Sequence, residues 1–118
     1  MWKEYQTPQS LDEALSVLAR HEGRARVIAG GTDLALQAAA DELDLTCAVD
    51  LTRIPALAAI ALDGADVVIG ACATHAQVAA DALVRQHAAL LASACAAVGS
   101  PQIRNVGTIA GNIANAQP

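Results

Sequence analysis

The stretch from residue 26 to residue 33 constrains the fold more than any other. A short apolar run ending in Val27-Ile28 enters Ala29-Gly30-Gly31-Thr32-Asp33. Glycine removes Cβ atoms from the turn. Thr32 or Asp33 then offers an N-cap for a helix running to about residue 42. A further strand is expected over 46–51. Strand, turn, helix and strand in that order are the local grammar of α/β folds.

The flanking segments extend this pattern. Ser10 and Glu13 have the Ser-x-x-Glu spacing of a capping box. Leu11, Ala14, Leu15, Leu18 and Ala19 follow on one predicted helix face, and Gly23 supplies a stop. Ile54-Pro55 breaks the pattern and divides the chain into an N-terminal α/β part, 1–55, and a second part, 56–118. Strands over 58–62 and 67–69 flank the hairpin signal Asp63-Gly64. Thr74 caps a helix that begins near His75. A longer helix is expected over 86–98, ending at Gly99 with Pro101 beyond. Residues 103–118 read as loop and turn.

The core these elements can build is thin. Hydrophobic residues are 54% of the 118, but Phe is absent and Ala supplies about a quarter. Small side chains bury little area each, at roughly 25 cal/mol per Å². Close backbone approach or packing against partners must compensate. The length suits one domain or part of a larger one. A net charge of −5 with one Trp and one Tyr argues against nucleic-acid binding, which needs basic and stacking surfaces. Cys47, Cys72 and Cys95 are odd in number, widely spaced and set in apolar runs. They read as small buried core residues in a reducing, cytoplasmic setting, forming neither a disulfide framework nor a metal site. No signal peptide or membrane span is expected.

Three segments carry chemistry. At Gly30-Gly31 the backbone N–H groups can converge on an anion, aided by the following helix N-terminus; a plain tight βα turn would use the same residues. Arg104-Asn105-Val106-Gly107-Thr108-Ile109-Ala110-Gly111-Asn112 combines a cation, two glycines, a hydroxyl and two amides. Its neutral donors suit phosphate or ribose oxygens. Arg104 is placed to reach a phosphate or to pair with a carboxylate. Gly70-Ala71-Cys72-Ala73-Thr74-His75 leads a strand into a helix cap whose hydroxyl can donate. His75 is expected in the first helical turn and exposed; His21 and His87 read as surface residues. No catalytic set emerges. The Walker and Rossmann phosphate motifs are absent. Any phosphate would be held by neutral donors, and the difficult chemistry would belong to a bound cofactor.

The segments Ala29-Gly30-Gly31-Thr32-Asp33-Leu34 and Ile103-Arg104-Asn105-Val106-Gly107-Thr108-Ile109-Ala110-Gly111-Asn112-Ile113-Ala114-Asn115 resemble the two FAD signatures of molybdenum hydroxylase flavoprotein subunits, the medium subunits of xanthine and carbon monoxide dehydrogenases. Tyr5…Pro8…Ser10-Leu11-Asp12-Glu13-Ala14, Asp50-Leu51-Thr52-Arg53-Ile54-Pro55 and Gly70 to His75 extend the likeness in order along nearly the whole chain. The resemblance implies an α/β (α+β), two-part FAD-binding fold, of the type shared with vanillyl-alcohol oxidase-like flavoproteins. Ala29, Gly30, Gly31, Thr32, Asp33 and Leu34 would cradle the pyrophosphate. Ala73, Thr74, Thr108, Gly111, Asn112 and Asn115 would also contact FAD. Electrons would arrive from [2Fe-2S] clusters on one partner subunit, with molybdopterin on another, and pass to NAD or another acceptor. Family members continue beyond the second signature, so the likeness implies a C-terminally truncated member with an incomplete second part. Two rivals stand beside it: an assembly module that binds no FAD by itself, and another α/β phosphate- or nucleotide-binding protein.

Overall fold

The structure, a computed structural model, describes residues 3–30 and 47–116. The expected helix after the Gly30-Gly31 turn, with Gly31, Thr32, Asp33 and Leu34, lies outside the described residues. The first half is built on a parallel sheet. Strands β1 (Glu4–Gln6) and β2 (Ala25–Ile28) flank β3 (Cys47–Asp50) in the order β1-β3-β2. The register pairs Glu4 and Ala25 with Cys47, and Ile28 with Asp50. Parallel strands are covered on both faces; Cys47, Ala48 and Val49 are accordingly all fully buried.

Helix α1 (Leu11–Arg20) packs on this sheet. The Ser10 hydroxyl accepts from the Glu13 N–H at 3.1 Å, while the Glu13 carboxylate accepts from the Gln9 N–H at 3.0 Å. The return half of the box thus lands one residue before the cap. The buried stripe also differs from the expected one. Ala14 and Val17 are buried with Leu18 against them, whereas Leu11 and Leu15 are more than half exposed. Leu15 sits about 100° round the helix from Ala14. Ala14 and Val17 cover β3, and the small Ala14 side chain lets the helix come close.

The second half opens with a single turn of 3₁₀ helix, Pro55–Leu57. An antiparallel hairpin follows, β4 (Ile60–Asp63) and β5 (Asp66–Ile69). Its two-residue loop starts at Gly64, whose φ of +60° suits the first position of a primed turn. Five short helices complete the description: α2 (His75–Ala80), α3 (Ala82–His87), α4 (Ala89–Ala96), α5 (Pro101–Val106) and α6 (Ile109–Asn115).

Two expectations for this half are corrected. The single helix over 86–98 is two, α3 and α4, separated at Ala88 with φ −143° and ψ 56°. Helix α3 starts earlier because Asp81 caps it, its carboxylate accepting from the Leu83 and Val84 N–H groups at 2.9 and 3.1 Å. Residues 101–115 are mostly helical instead of loop. Ser100 accepts from the Ile103 N–H, and Pro101 follows at a position whose N–H would go unpaired anyway. Thr108 accepts from the Gly111 N–H at 3.1 Å, so Gly111 and Asn112 stand inside α6.

Two apolar clusters hold these halves. One gathers Ala14, Val17, Ala25, Cys47, Val49 and Ile54. The other gathers Ala73, Val78, Val84, Ala92 and Cys95 under the hairpin. Cys47, Cys72 and Cys95 are buried and free. Among the described residues no helix is long and apolar enough to cross a membrane.

Candidate functional site

The three chemistry-bearing segments meet. Residues 73–75 pair with 107–109 through an isolated antiparallel bridge between Thr74 and Thr108. The His75 N–H donates to the Gly107 carbonyl at 3.0 Å, and the Ile109 N–H to the Ala73 carbonyl at 3.1 Å. The first glycine turn then docks on this pair. A Cβ on Gly30 would overlap the Val106 carbonyl oxygen and stand 3.0 Å from the Gly107 Cα. Glycine is required there for space, since backbone lies against backbone.

The convergence leaves an open cleft of about 360 Å³. Ala29, Gly30 and Thr74 line it, together with Asn105 and Val106 from the end of α5. Tyr5, Asp50 and Thr52 form the wall on the sheet side, and Gln77 stands beside Thr74. Ile28 and Asp50 end their strands, so the cleft lies at the carboxyl ends of the parallel sheet, where open α/β sheets receive ligands.

The donors here are neutral. Thr74 caps α2 by accepting from the Gln77 N–H at 3.2 Å, while the Gln77 side-chain oxygen accepts from the Thr74 N–H at 2.9 Å. The Thr74 hydroxyl hydrogen stays available to donate. Among the described lining residues Asp50 is the charged side chain, and it is occupied. Tyr5 donates to one carboxylate oxygen at 2.6 Å; the Thr52 hydroxyl and N–H donate to the other at 2.5 and 2.8 Å. Burial pushes the Asp50 carboxyl up, but these donors and nearby Arg53 outweigh it and hold it below the usual value. The Asp50 hydrogen bond, with burial and the carboxylate charge, pushes the Tyr5 phenol up to about 12.

The remaining sequence-derived residues fall around the cleft. Ala73 and Thr108 are buried behind its wall, at 0% and 3% exposure. Gly111, Asn112 and Asn115 lie along α6, outside the lining set. Gly31, Thr32, Asp33 and Leu34 are outside the described residues. Among the described residues Arg104 pairs with no carboxylate. Its Nη1 donates to the Val98 and Gly99 carbonyls at 3.0 and 3.1 Å, closing the end of α4. His75 is in the first turn of α2 as expected but buried at 5% exposure, its ring against Gly107. Burial pushes its pKa down. Gln77 and the Tyr5–Asp50–Thr52 wall were missed as lining residues; the Thr74-x-x-Gln77 capping spacing was the one local signal for Gln77.

With this geometry in hand, comparisons with known proteins identify the family. A family model described as the FAD binding domain in molybdopterin dehydrogenase matches residues 2–118. The chain belongs to that family of FAD-binding domains. It is 35% identical over 115 residues to the carbon monoxide dehydrogenase medium chain of Hydrogenophaga pseudoflava, covering 98% of this chain and 40% of that one. It is 32% identical over 112 residues to the xanthine dehydrogenase FAD-binding subunit of Escherichia coli O157:H7, covering 94% and 38%. The fold matches the Hydrogenophaga pseudoflava carbon monoxide dehydrogenase structure with TM-score 0.92 and 34% identity, over 97% of this chain and 40% of that chain. Quinoline 2-oxidoreductase from Pseudomonas putida 86 matches with TM-score 0.92 and 33% identity, over 97% and 40%. The chain thus spans about 40% of the length of these relatives.

Proposed function

We propose that this chain binds the FAD pyrophosphate in the cleft, as part of the electron-transfer flavoprotein component of a molybdenum hydroxylase. The packing of Gly30 against Val106 and Gly107, beside the Thr74–Thr108 bridge, carries the reading. It brings Ala29 and Gly30 beside the neutral polar residues Thr74 and Asn105 in the lining of one cleft. Neutral donors of this kind suit a diphosphate. The cleft volume is at the low end of the roughly 300–1,000 Å³ of small-molecule sites, which suits part of an extended dinucleotide. FAD supplies the redox chemistry when bound; the chain holds and orients it.

In this reading the backbone from Ala29 and Gly30 through Gly31, Thr32, Asp33 and Leu34 wraps the pyrophosphate. Ala73 and Thr74 flank it, and Thr108, Gly111, Asn112 and Asn115 complete the contact set. A division near Pro55 separates two FAD-binding parts, each with its own apolar cluster. Electrons reach the flavin from an iron–sulfur subunit that also serves a molybdopterin subunit, and leave to NAD or another acceptor in the cytoplasm.

The test is flavin content and binding. The purified chain, alone and together with iron–sulfur and molybdopterin subunits, is assayed for released FAD and titrated with FAD and with ADP. Stoichiometric FAD, bound more tightly than ADP, is expected. Equal affinity for the two would indicate a general nucleotide site. A stable complex containing no flavin would indicate an assembly module.

A further inference from the structure

Glu4, His21 and Cys47 are far apart in sequence, yet a carboxylate oxygen, an imidazole nitrogen and a sulfur all lie within 4.8 Å of one another. The fold makes this cluster from three elements. Glu4 and Cys47 are register partners on adjacent parallel strands, so their side chains share a face of the sheet. His21 closes α1, its backbone N–H donating to the Leu18 carbonyl. The cluster is at the amino end of the strands, whereas the cleft is at their carboxyl end.

The imidazole geometry is the informative part. His21 Nδ1 stands 2.9 Å from the Val17 carbonyl oxygen. A carbonyl only accepts, so Nδ1 carries the ring proton, and the neutral ring then presents a lone pair at Nε2. That atom faces a Glu4 carboxylate oxygen at 3.3 Å, another acceptor. Two acceptors face to face need a positive centre. A second ring proton would supply one, as an ion pair, and would leave the Cys47 thiol with its long 3.7 Å contact to the Ala48 carbonyl. A metal ion uses all three groups.

The dimensions agree with a tetrahedral centre. Zinc–nitrogen and zinc–oxygen bonds of about 2.0–2.2 Å at the tetrahedral angle put those two ligand atoms about 3.4 Å apart. The observed 3.3 Å already matches that edge. Edges involving sulfur are slightly longer, so the widest separation need contract only by roughly an ångström. The Glu4 side chain is about half exposed, its Oε2 also accepting a long 3.4 Å contact from the Gln6 amide, while Cys47 is fully buried and His21 is held at its other nitrogen. An imidazole donating its remote N–H to a backbone carbonyl is also the usual outer arrangement around a metal.

We propose that Glu4, His21 and Cys47 bind a divalent metal of borderline softness, zinc first, with water in the fourth position. Binding displaces the thiol proton to solvent, leaving thiolate, neutral imidazole and carboxylate as ligands. The ion would tie β1, the end of α1 and β3 together. The proposal does not depend on FAD.

The experiment is a titration of the full, tag-free chain with Co²⁺ and then Zn²⁺ after treatment with chelator. One equivalent of Co²⁺ is expected to give tetrahedral visible bands and a thiolate-to-cobalt charge-transfer band, both displaced by Zn²⁺. Cys47→Ser should abolish the charge-transfer band, and His21→Ala should weaken binding by at least about 100-fold, the upper range for losing even an outer partner. Glu4→Gln, on a half-exposed side chain, supplies a variant that keeps the fold, checked by circular dichroism; it too should weaken binding. Absence of the charge-transfer band in the wild-type chain, or undiminished binding in Glu4→Gln, would overturn the proposal.

Discussion

Thr74 and Thr108 stand opposite each other in a single antiparallel bridge, each capping the helix that follows it. One contact therefore fixes where two helices begin and brings the 70–75 and 104–112 segments together. Each hydroxyl accepts from its own helix, from Gln77 N–H at 3.2 Å and Gly111 N–H at 3.1 Å. The cap orients the side chain, and the hydroxyl proton is left to donate.

Replacing Thr74 separates these two roles. Thr74→Ala should cost about 0.5–2 kcal/mol of stability, the usual worth of an N-cap, and weaken FAD binding. Thr74→Ser keeps both the acceptor and the proton, and should retain both properties. Urea denaturation and flavin titration of the two variants read the two effects.

At Gly30 the constraint is space. A side chain there meets the Val106 backbone, which has no rotamer with which to yield. Gly30→Val should destabilise the chain by about 1–3 kcal/mol, as overpacking does. FAD affinity should fall in addition, because the two walls of the cleft are pushed apart. Unchanged urea midpoint and unchanged flavin titration would contradict the close approach.

Arg104 illustrates where a residue's chemistry leaves its role open. A guanidinium beside a glycine-rich segment suits phosphate, but here it donates to the Val98 and Gly99 carbonyls. Arg104→Ala should thus lower stability by about 1 kcal/mol, the net worth of a typical hydrogen bond. FAD affinity measured well below the unfolding transition should be unchanged.

The segments that carry strong local signals were legible: the Ser10 and Thr74 caps, the Asp63-Gly64 hairpin and the strand ahead of Gly30 all occur as the residues suggest. Helix α5 was obscured because Ser100-Pro101 reads equally as the stop after one helix and the cap and first turn of the next. Gly111 made a helix resemble a turn, since its Cβ-free backbone fits either. The break at Ala88 has no signal at all, because alanine favours helix everywhere. The exposed Leu11 and Leu15 show why periodicity alone misplaces a face: it selects 11, 14, 15, 18 and 19, whereas contact with β3 buries 14 and 17, with 18 against them. The Tyr5–Asp50 wall and the Glu4–His21–Cys47 cluster depend on strand register, which no local window contains.

The Tyr5–Asp50 bond sets an alkaline limit. Tyr5 ordinarily ionises near 10 and is pushed up to about 12 in the fold. A raised folded-state value means the contribution is complete below pH 10 and is lost as pH rises toward 12. Asp50, held below its ordinary value, gives the opposite limb: its contribution is present above that value and is lost in acid. Tyr5→Phe should flatten the alkaline decline in urea midpoint and leave the chain less stable at neutral pH. An identical alkaline slope in wild type and variant would remove Tyr5 as the cause.

His75 predicts a separate change nearer neutrality. Its ring is buried against Gly107, and Nδ1 has no hydrogen-bond partner among the described residues. Burial lowers its pKa below the ordinary 6.5, so the neutral ring is the folded form. The unfolded chain then takes up a proton near pH 6.5 that the folded chain refuses, and stability falls as pH drops below 6.5. The ring lies beside the strand pairing that joins Thr74 to Thr108, so acid should loosen the cleft as well as the helix. His75→Gln cannot take the proton. It should lose some packing at pH 8 but show no decline between pH 6.5 and the lower folded-state value. Urea midpoints for both proteins across this range measure the difference; parallel curves would mean that His75 is not the titrating group.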